Sequence, residues 1–240
     1  MIRQAMIALC VCAGAMTSVV KADEAAERIL ATARYVSTLQ HQDLHGHMTK
    51  DGKKMPVSLF LRGDDIQFHY KIKGQPNRFH MRLKDDMFDL FEIKNGKTLK
   101  FNDNKMAETI NGTDLTYEDL SMRFLYWKDA KVEGQERVNG QPCYKLRLIN
   151  PNKNVGDYQI VYVWVHSKQG ALMKVVGYNA AGKPLKQFQV TDIMRVGNEY
   201  TLRRMRVESI DAASNKFTGV TYLEFDKPTK VRQAEGKPMR

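Results

Sequence analysis

From His45 onward the apolar residues of this chain recur with a period of two, and turn sequences interrupt them about every ten residues. Ile66, Phe68, Tyr70 and Ile72 alternate with Gln67, His69 and Lys71; Phe79, Met81 and Leu83 alternate with His80 and Arg82. Between the runs stand "KDGKK", "RGDD", "KGQPN", "KDD", "KNGK" and "NDNK", rich in the Gly, Asn and Asp that tight hairpins require. This pattern predicts an antiparallel meander. The second half repeats it: "QPCYKLRLIN" places Tyr144, Leu146 and Leu148 on one face. "YQIVYVWVHS" is apolar on both faces, with Ile160, Tyr162 and Trp164 on one and Val161, Val163 and Val165 on the other. Such a strand is covered on both sides. The series amounts to about ten or eleven strands, too many for a flat sheet, so the sheet must curl into a barrel or half-barrel.

Two segments break the period and predict helices over the mouth of the curled sheet. Asp23–Gln40 can be capped by Asp23, has Glu24 and Glu27 in its first turn, and repeats Ile29, Leu30, Ala33 and Val36 at helical spacing. "NGTDLTYEDLSMRFLYW" (Asn111–Trp127) opens on an Asn-Gly turn. Thr116 and Asp119 resemble a capping box, and Tyr117, Leu120, Phe124 and Trp127 would share one face of a single helix. Each aromatic ring there has about 150–250 Å² to bury, which only the inner face of the sheet can receive. The fold class is therefore mainly β with α (α+β): a strongly curved antiparallel sheet under an N-terminal and a mid-chain helix.

The chain has 240 residues, 42% hydrophobic and 27% charged, as expected of one globular domain. Arg3, the apolar or small run Ala5–Val20 and Val20-Lys21-Ala22 read as a secretory signal cleaved near Ala22/Asp23. The run is shorter than the roughly 20 residues of a spanning helix. Cys10 and Cys12 follow Leu9 and Val11, which do not suit a lipid-attachment box. The expected division is 1–22 signal peptide, 23–227 single domain, and 228–240 a basic flexible tail, with the periplasm as destination. Cys143 alone remains after cleavage, so no internal disulfide can form and the core must supply the stability. The formal charge is +11, or +9 once Arg3 and Lys21 are removed with the signal. Such an excess suits anionic partners, a membrane surface among them; export argues against nucleic acid.

The segment "GTDLTYEDLSMRFLYW", with "VEGQERVNGQPCYKLRL" and "YVWVHSKQGALMKVVGYNAAGKPLKQFQVTDIMRV", resembles the LolA-like family, in particular its outer-membrane lipoprotein-sorting branch. The resemblance spans roughly Asp23 to Lys227, and Gly-Thr-Asp…Tyr-Glu-Asp-Leu is its most specific piece. It implies an incomplete β-barrel with helices as a lid, and an apolar concavity that receives acyl chains of lipids or lipoproteins. Fold does not settle cargo.

The residues expected to line that concavity or its lid are Phe68, Tyr70, Phe79, Met81, Leu83, Leu120, Phe124, Trp127, Tyr162 and Trp164; plain core packing is the competing reading. An acyl chain of about sixteen carbons, at ~0.8 kcal/mol per buried CH₂, offers on the order of 10 kcal/mol before ordering costs. "HQDLHGH" places His41, His45 and His47 beside Asp43, a weak zinc-ligand set without a second cluster; a polar strand entrance is the plainer reading. There is no G-x-S-x-G, no Walker loop and no dinucleotide-binding glycine motif. Cys143 lies opposite in parity to Tyr144, Leu146 and Leu148 and reads as structural. The expectation is a non-catalytic lipid- or lipoprotein-binding protein without cofactor, whose partners include envelope proteins. A sensor or adaptor module of the same fold is the alternative, and a metal-dependent hydrolase on the His41/His45/His47 set the weaker one.

Overall fold

The computed structural model describes residues 23–38, 41–84, 87–197 and 199–228. The expected signal peptide and nearly all of the expected tail lie outside them. Among the described residues one sheet holds thirteen antiparallel strands. They are β1 (His41–Lys50), β2 (Lys53–Arg62), β3 (Asp65–Ile72), β4 (Gln75–Lys84), β5 (Met87–Lys94), β6 (Lys97–Lys100), β7 (Lys131–Val138), β8 (Gln141–Ile149), β9 (Ile160–His166), β10 (Leu172–Tyr178), β11 (Pro184–Val196), β12 (Glu199–Asp211) and β13 (Lys216–Phe225). The expected count was too low because the edge strands carry no alternation to read. All four residues of β6 are exposed, and in β7 only Val138 is buried.

The hairpins follow from local chemistry. Asp51-Gly52 and Asn95-Gly96 both hold positive φ (49° and 74°; 50° and 74°), the twist of a two-residue loop that matches the right-handed twist of its strands.

The strand order is β6-β5-β4-β3-β2-β1-β13-β12-β11-β10-β9-β8-β7. Two meanders run outward from a central β1–β13 pair, so the sheet stays open and its two free edges, β6 and β7, are consecutive in sequence. The chain between them must therefore pass from one edge of the sheet to the other.

Register confirms one continuous inner face. Leu148 faces Val161 and Leu146 faces Val163; Val163 faces Val175, Val175 faces Phe188, and Phe188 faces Val207. Across the centre Leu223 faces Met48, and farther on Leu59 faces Phe68, which faces Phe79. These residues are buried in one core. Helix α1 (Glu24–Thr38) packs Ala26, Leu30 and Ala33 into it, all fully buried. The Asp23 carboxylate caps the helix by accepting from the backbone N–H groups of Ala25 (3.0 Å) and Ala26 (3.3 Å). It also accepts from Val132 N–H on β7 (3.2 Å), which ties the helix start to that edge.

Candidate functional site

The segment joining the two edges fills the concavity. It opens on a left-handed turn at Asn111 and Gly112 (φ 52° and 74°). The expected capping box is present: Thr116 Oγ1 accepts from Asp119 N–H (3.3 Å), and Asp119 Oδ2 accepts from Thr116 N–H (2.7 Å). The expected single helix to Trp127 is not. Helix α2 covers only Tyr117–Ser121; Met122 then turns left-handed (φ 44°, ψ 30°), a 3-10 turn spans Arg123–Tyr126, and Trp127 is extended. The Ser121 hydroxyl donates to the Glu118 carbonyl (2.8 Å), which competes with continuation of the helix. The break lets Phe124 and Leu125 both bury, whereas a straight helix would leave Leu125 at the edge of its apolar face.

Phe68, Tyr70, Phe79 and Met81 line the inner face and are buried, as are Leu120, Phe124 and Trp127 above it; Leu83 is half-buried at the end of β4. What covers them is the chain itself. The Tyr117 ring lies 5.3 Å from Phe79 and 4.9 Å from Phe101, and its hydroxyl meets that of Tyr70 at 2.9 Å. Tyr126 stacks edge-on against Phe88 at 4.8 Å. Arg34 of α1 holds the 3-10 turn through the Leu125 carbonyl (2.7 Å) and lies 5.0 Å from the Tyr126 ring centre.

Tyr162 and Trp164 do not belong to this set. Val161, Val163 and Val165 take the inner face, so the pleat sends Tyr162 and Trp164 to the outer one. There Trp164 covers a small second cluster with Val138, Cys143 and Val176. With both faces of β9 apolar, period alone could not say which was inside.

The site residues missed at the sequence level are polar. Asp114 and Glu118, and Asp119 beyond its expected capping role, are all buried within this plug segment rather than solvated. Asp114 accepts from Ser209 Oγ (2.7 Å), Thr221 Oγ1 (2.8 Å) and Lys50 Nζ (3.2 Å). Burial pushes its carboxyl up, but these three hydrogen bonds outweigh that and hold it below the ordinary range. Asp119 accepts from Tyr158 OH on Oδ1 (2.6 Å) and Lys186 Nζ on Oδ2 (2.6 Å), besides its capping bond. Glu118 accepts only backbone N–H groups, of Asp157 (2.8 Å) and Tyr158 (3.4 Å). Burial raises its pKa to about 7.

Three glycines shape the receiving surface. A Cβ at Gly219 would stand 2.2 Å from Asp114 Oδ1, one at Gly177 2.4 Å from the Tyr158 ring, and one at Gly156 2.1 Å from Glu118 Oε1. The only sequence signal for this network was three acids inside an apolar segment. Their partners lie up to 107 positions away.

Asp43 and His45 of the histidine set are engaged elsewhere. The Asp43 carboxylate is held by Arg62 at 3.0 Å on both oxygens. His45 is exposed and bonds Ser58 Oγ (2.9 Å), and the His41 side chain lies outside what the structure describes. Among the described residues no group of three His, Cys, Asp or Glu is placed to hold a metal ion. No described helix is long and apolar enough to cross a membrane. Cys143 is buried, which pushes its thiol up, away from reactive thiolate character.

Comparison with known proteins agrees with this architecture. A domain from Vibrio parahaemolyticus assigned to outer-membrane lipoprotein sorting superposes with a TM-score of 0.66 at 17% identity, covering 90% of this chain and 94% of that one. A LolA superfamily protein from Nitrosomonas europaea gives 0.59 at 14% identity, covering 86% and 94%. A DUF1329 family protein from Desulfovibrio piger gives 0.59 at 15% identity, covering 87% and 94%. No curated protein matches. A family model described as "Uncharacterized protein"-like matches residues 71–233. The chain belongs to that family, and its fold is the LolA-like incomplete barrel: an unclosed thirteen-stranded antiparallel sheet with few helices.

Proposed function

We propose that the protein is a non-catalytic carrier that shields acyl chains of lipids or lipoproteins against its concave sheet face. The observation that carries this reading is how the concavity is covered. Its apolar row is closed by α1, a five-residue helix and a 3-10 turn, not by a second sheet. The relevant energies are balanced. Phe124, Leu125 and Trp127 stabilise the filled state by about 2 kcal/mol each, about 6 kcal/mol together. An acyl chain of about sixteen carbons offers on the order of 10 kcal/mol, and the cost of ordering it brings the net toward a similar amount. Exchange of plug for lipid would then be close to neutral, which is what uptake and hand-over require.

The two halves of the plug differ in how they are held. Asp114 to Asp119 is anchored by buried ionic and hydrogen-bonded contacts. Arg123–Trp127 is held by packing, by Arg34 and by the solvent-exposed Arg123–Asp103 ion pair (3.4 Å). We assign the movement to the second half, pivoting at left-handed Met122. Residues 1–22 would direct export to the periplasm and 228–240 form a basic tail, and envelope proteins would be donor and acceptor. The likeness to lipoprotein-sorting and LolA superfamily folds supports this reading.

The test is native mass spectrometry with lipid extraction after gentle purification, together with titration by a fluorescent fatty acid. Co-purifying acyl chains and saturable probe binding are expected. A lipid-free protein with no affinity for the probe would overturn the proposal.

A further inference from the structure

We propose that the outer face of β8–β10 carries a second binding site, for an acidic sugar: a pyranose bearing a carboxylate or phosphate. The site is independent of the concavity, on the opposite face of the sheet. Lys145, Ile160, Tyr162, Trp164, Tyr178 and Gly182 enclose a pocket of about 300 Å³, open to solvent. That is the lower end of small-ligand pockets and suits one sugar ring with its substituent.

The chemistry of the walls selects the ligand. Tyr162 and Tyr178 meet at 5.5 Å and 76°, forming an aromatic corner. Such a corner receives the C–H-rich face of a pyranose, and each ring carries a hydroxyl that can donate or accept a hydrogen bond. The Lys145 ammonium stands 5.2 Å from the ring centres of both Tyr162 and Trp164, and Lys174 stands 4.9 Å from Trp164. Glu136 fixes this arrangement by accepting from Lys145 Nζ and Trp164 Nε1, each at 2.8 Å. Lys145, Lys174 and Arg206 stand against the Glu136 and Glu208 carboxylates on this face, and three cations to two carboxylates leave it positive, which disfavours a cation and favours an anion. Burial also holds Lys174 below its ordinary range, so an anion beside it would compensate solvation the ammonium has lost.

A purely structural role accounts for less of this. Trp164, 5% exposed, forms the small outer cluster with Val138, Cys143 and Val176. Tyr162 and Tyr178 also pack against that cluster and are half-buried, but this packing does not account for the ammonium groups held over the outer faces of Tyr162 and Trp164.

The experiment is a titration of the purified full chain, followed by tryptophan fluorescence and calorimetry. The probes are glucose 6-phosphate, galacturonate, neutral glucose and inorganic phosphate. Saturable binding of both acidic sugars is expected, with glucose and phosphate each weaker by about tenfold or more. Lys145→Met keeps the apolar stem and Tyr178→Ala removes one wall; each should weaken acidic-sugar binding about tenfold, with the fold checked by circular dichroism. Phosphatidylcholine vesicles with and without a phosphorylated glucosamine-disaccharide lipid distinguish a lipid head group from a free sugar. Binding to neither vesicles nor soluble acidic sugars, equal binding of phosphate alone, or affinity unchanged in both variants would each overturn the proposal.

Discussion

Lys186→Met tests whether the buried ionic contact is what anchors the plug. Lys186 sits on the inner face of β11, opposite Gly177 on one side and Ser209 on the other. Its ammonium lies 2.6 Å from Asp119 Oδ2, and the side chains of lysine and aspartate are 9% and 0% exposed. Methionine keeps most of the stem, so packing changes little while the charge is lost. Asp119 would retain Tyr158 OH and Thr116 N–H but no cation. Removing one partner of a buried pair costs about 3–5 kcal/mol, a large share of the roughly 5–15 kcal/mol by which domains are stable. For a chain of this size that lowers Tm by roughly 6–20 °C. Urea unfolding should show a lower midpoint with an unchanged slope, because the surface exposed on unfolding is the same. The double variant with Asp119→Asn should lose less than the two single losses combined, since the uncompensated carboxylate is gone. A loss below about 1 kcal/mol in the single variant would refute the reasoning, because that is the scale of a solvated ion pair.

Three further outcomes follow from the same geometry. Glu118 has its folded pKa raised to about 7 from 4.5, so its contribution to stability is fully present below about pH 4.5 and is lost as pH rises through 7, on the order of 3 kcal/mol in all. Thermal melts between about pH 5 and pH 8 should show that decline in the native chain and a flatter profile in Glu118→Gln; identical profiles would remove burial of this carboxyl as its cause. Gly219→Ala forces a Cβ against Asp114 Oδ1 at 2.2 Å, and should cost about 1–3 kcal/mol in chemical denaturation. Phe124→Ala should lower stability by about 3–5 kcal/mol yet tighten binding of a fluorescent fatty acid, because the filled state that competes with lipid is weakened. Weaker or unchanged binding would argue against competition between plug and ligand.

Local sequence was sufficient for the outline. The alternation through Ile66–Ile72 and Phe79–Leu83, with Gly, Asn and Asp between runs, specifies hairpins because strand period and turn handedness are short-range properties. Asp23 and Thr116 could be read as caps for the same reason, since each bonds a backbone group within three residues. Two faces of β9 could be separated by parity, yet only packing decided that Val161 and Val163 point inward and Trp164 outward. The helix break at Met122 was equally illegible, because it depends on what Phe124 and Leu125 meet across the concavity. The acids of "TDLTYED" are the sharpest case. In sequence Asp119 reads as half of a capping box and Glu118 as a residue off the apolar face, while in the structure both are buried beside groups from residues 157–186. A desolvated carboxylate is tolerated only where donors converge on it, and the donors for Asp119 come from α2's own cap, the chain before β9, and β11. Sequence determined the hairpins and the apolar face; which segment fills that face, and which acids hold it there, was decided by the tertiary structure, because those contacts join residues far apart in the chain.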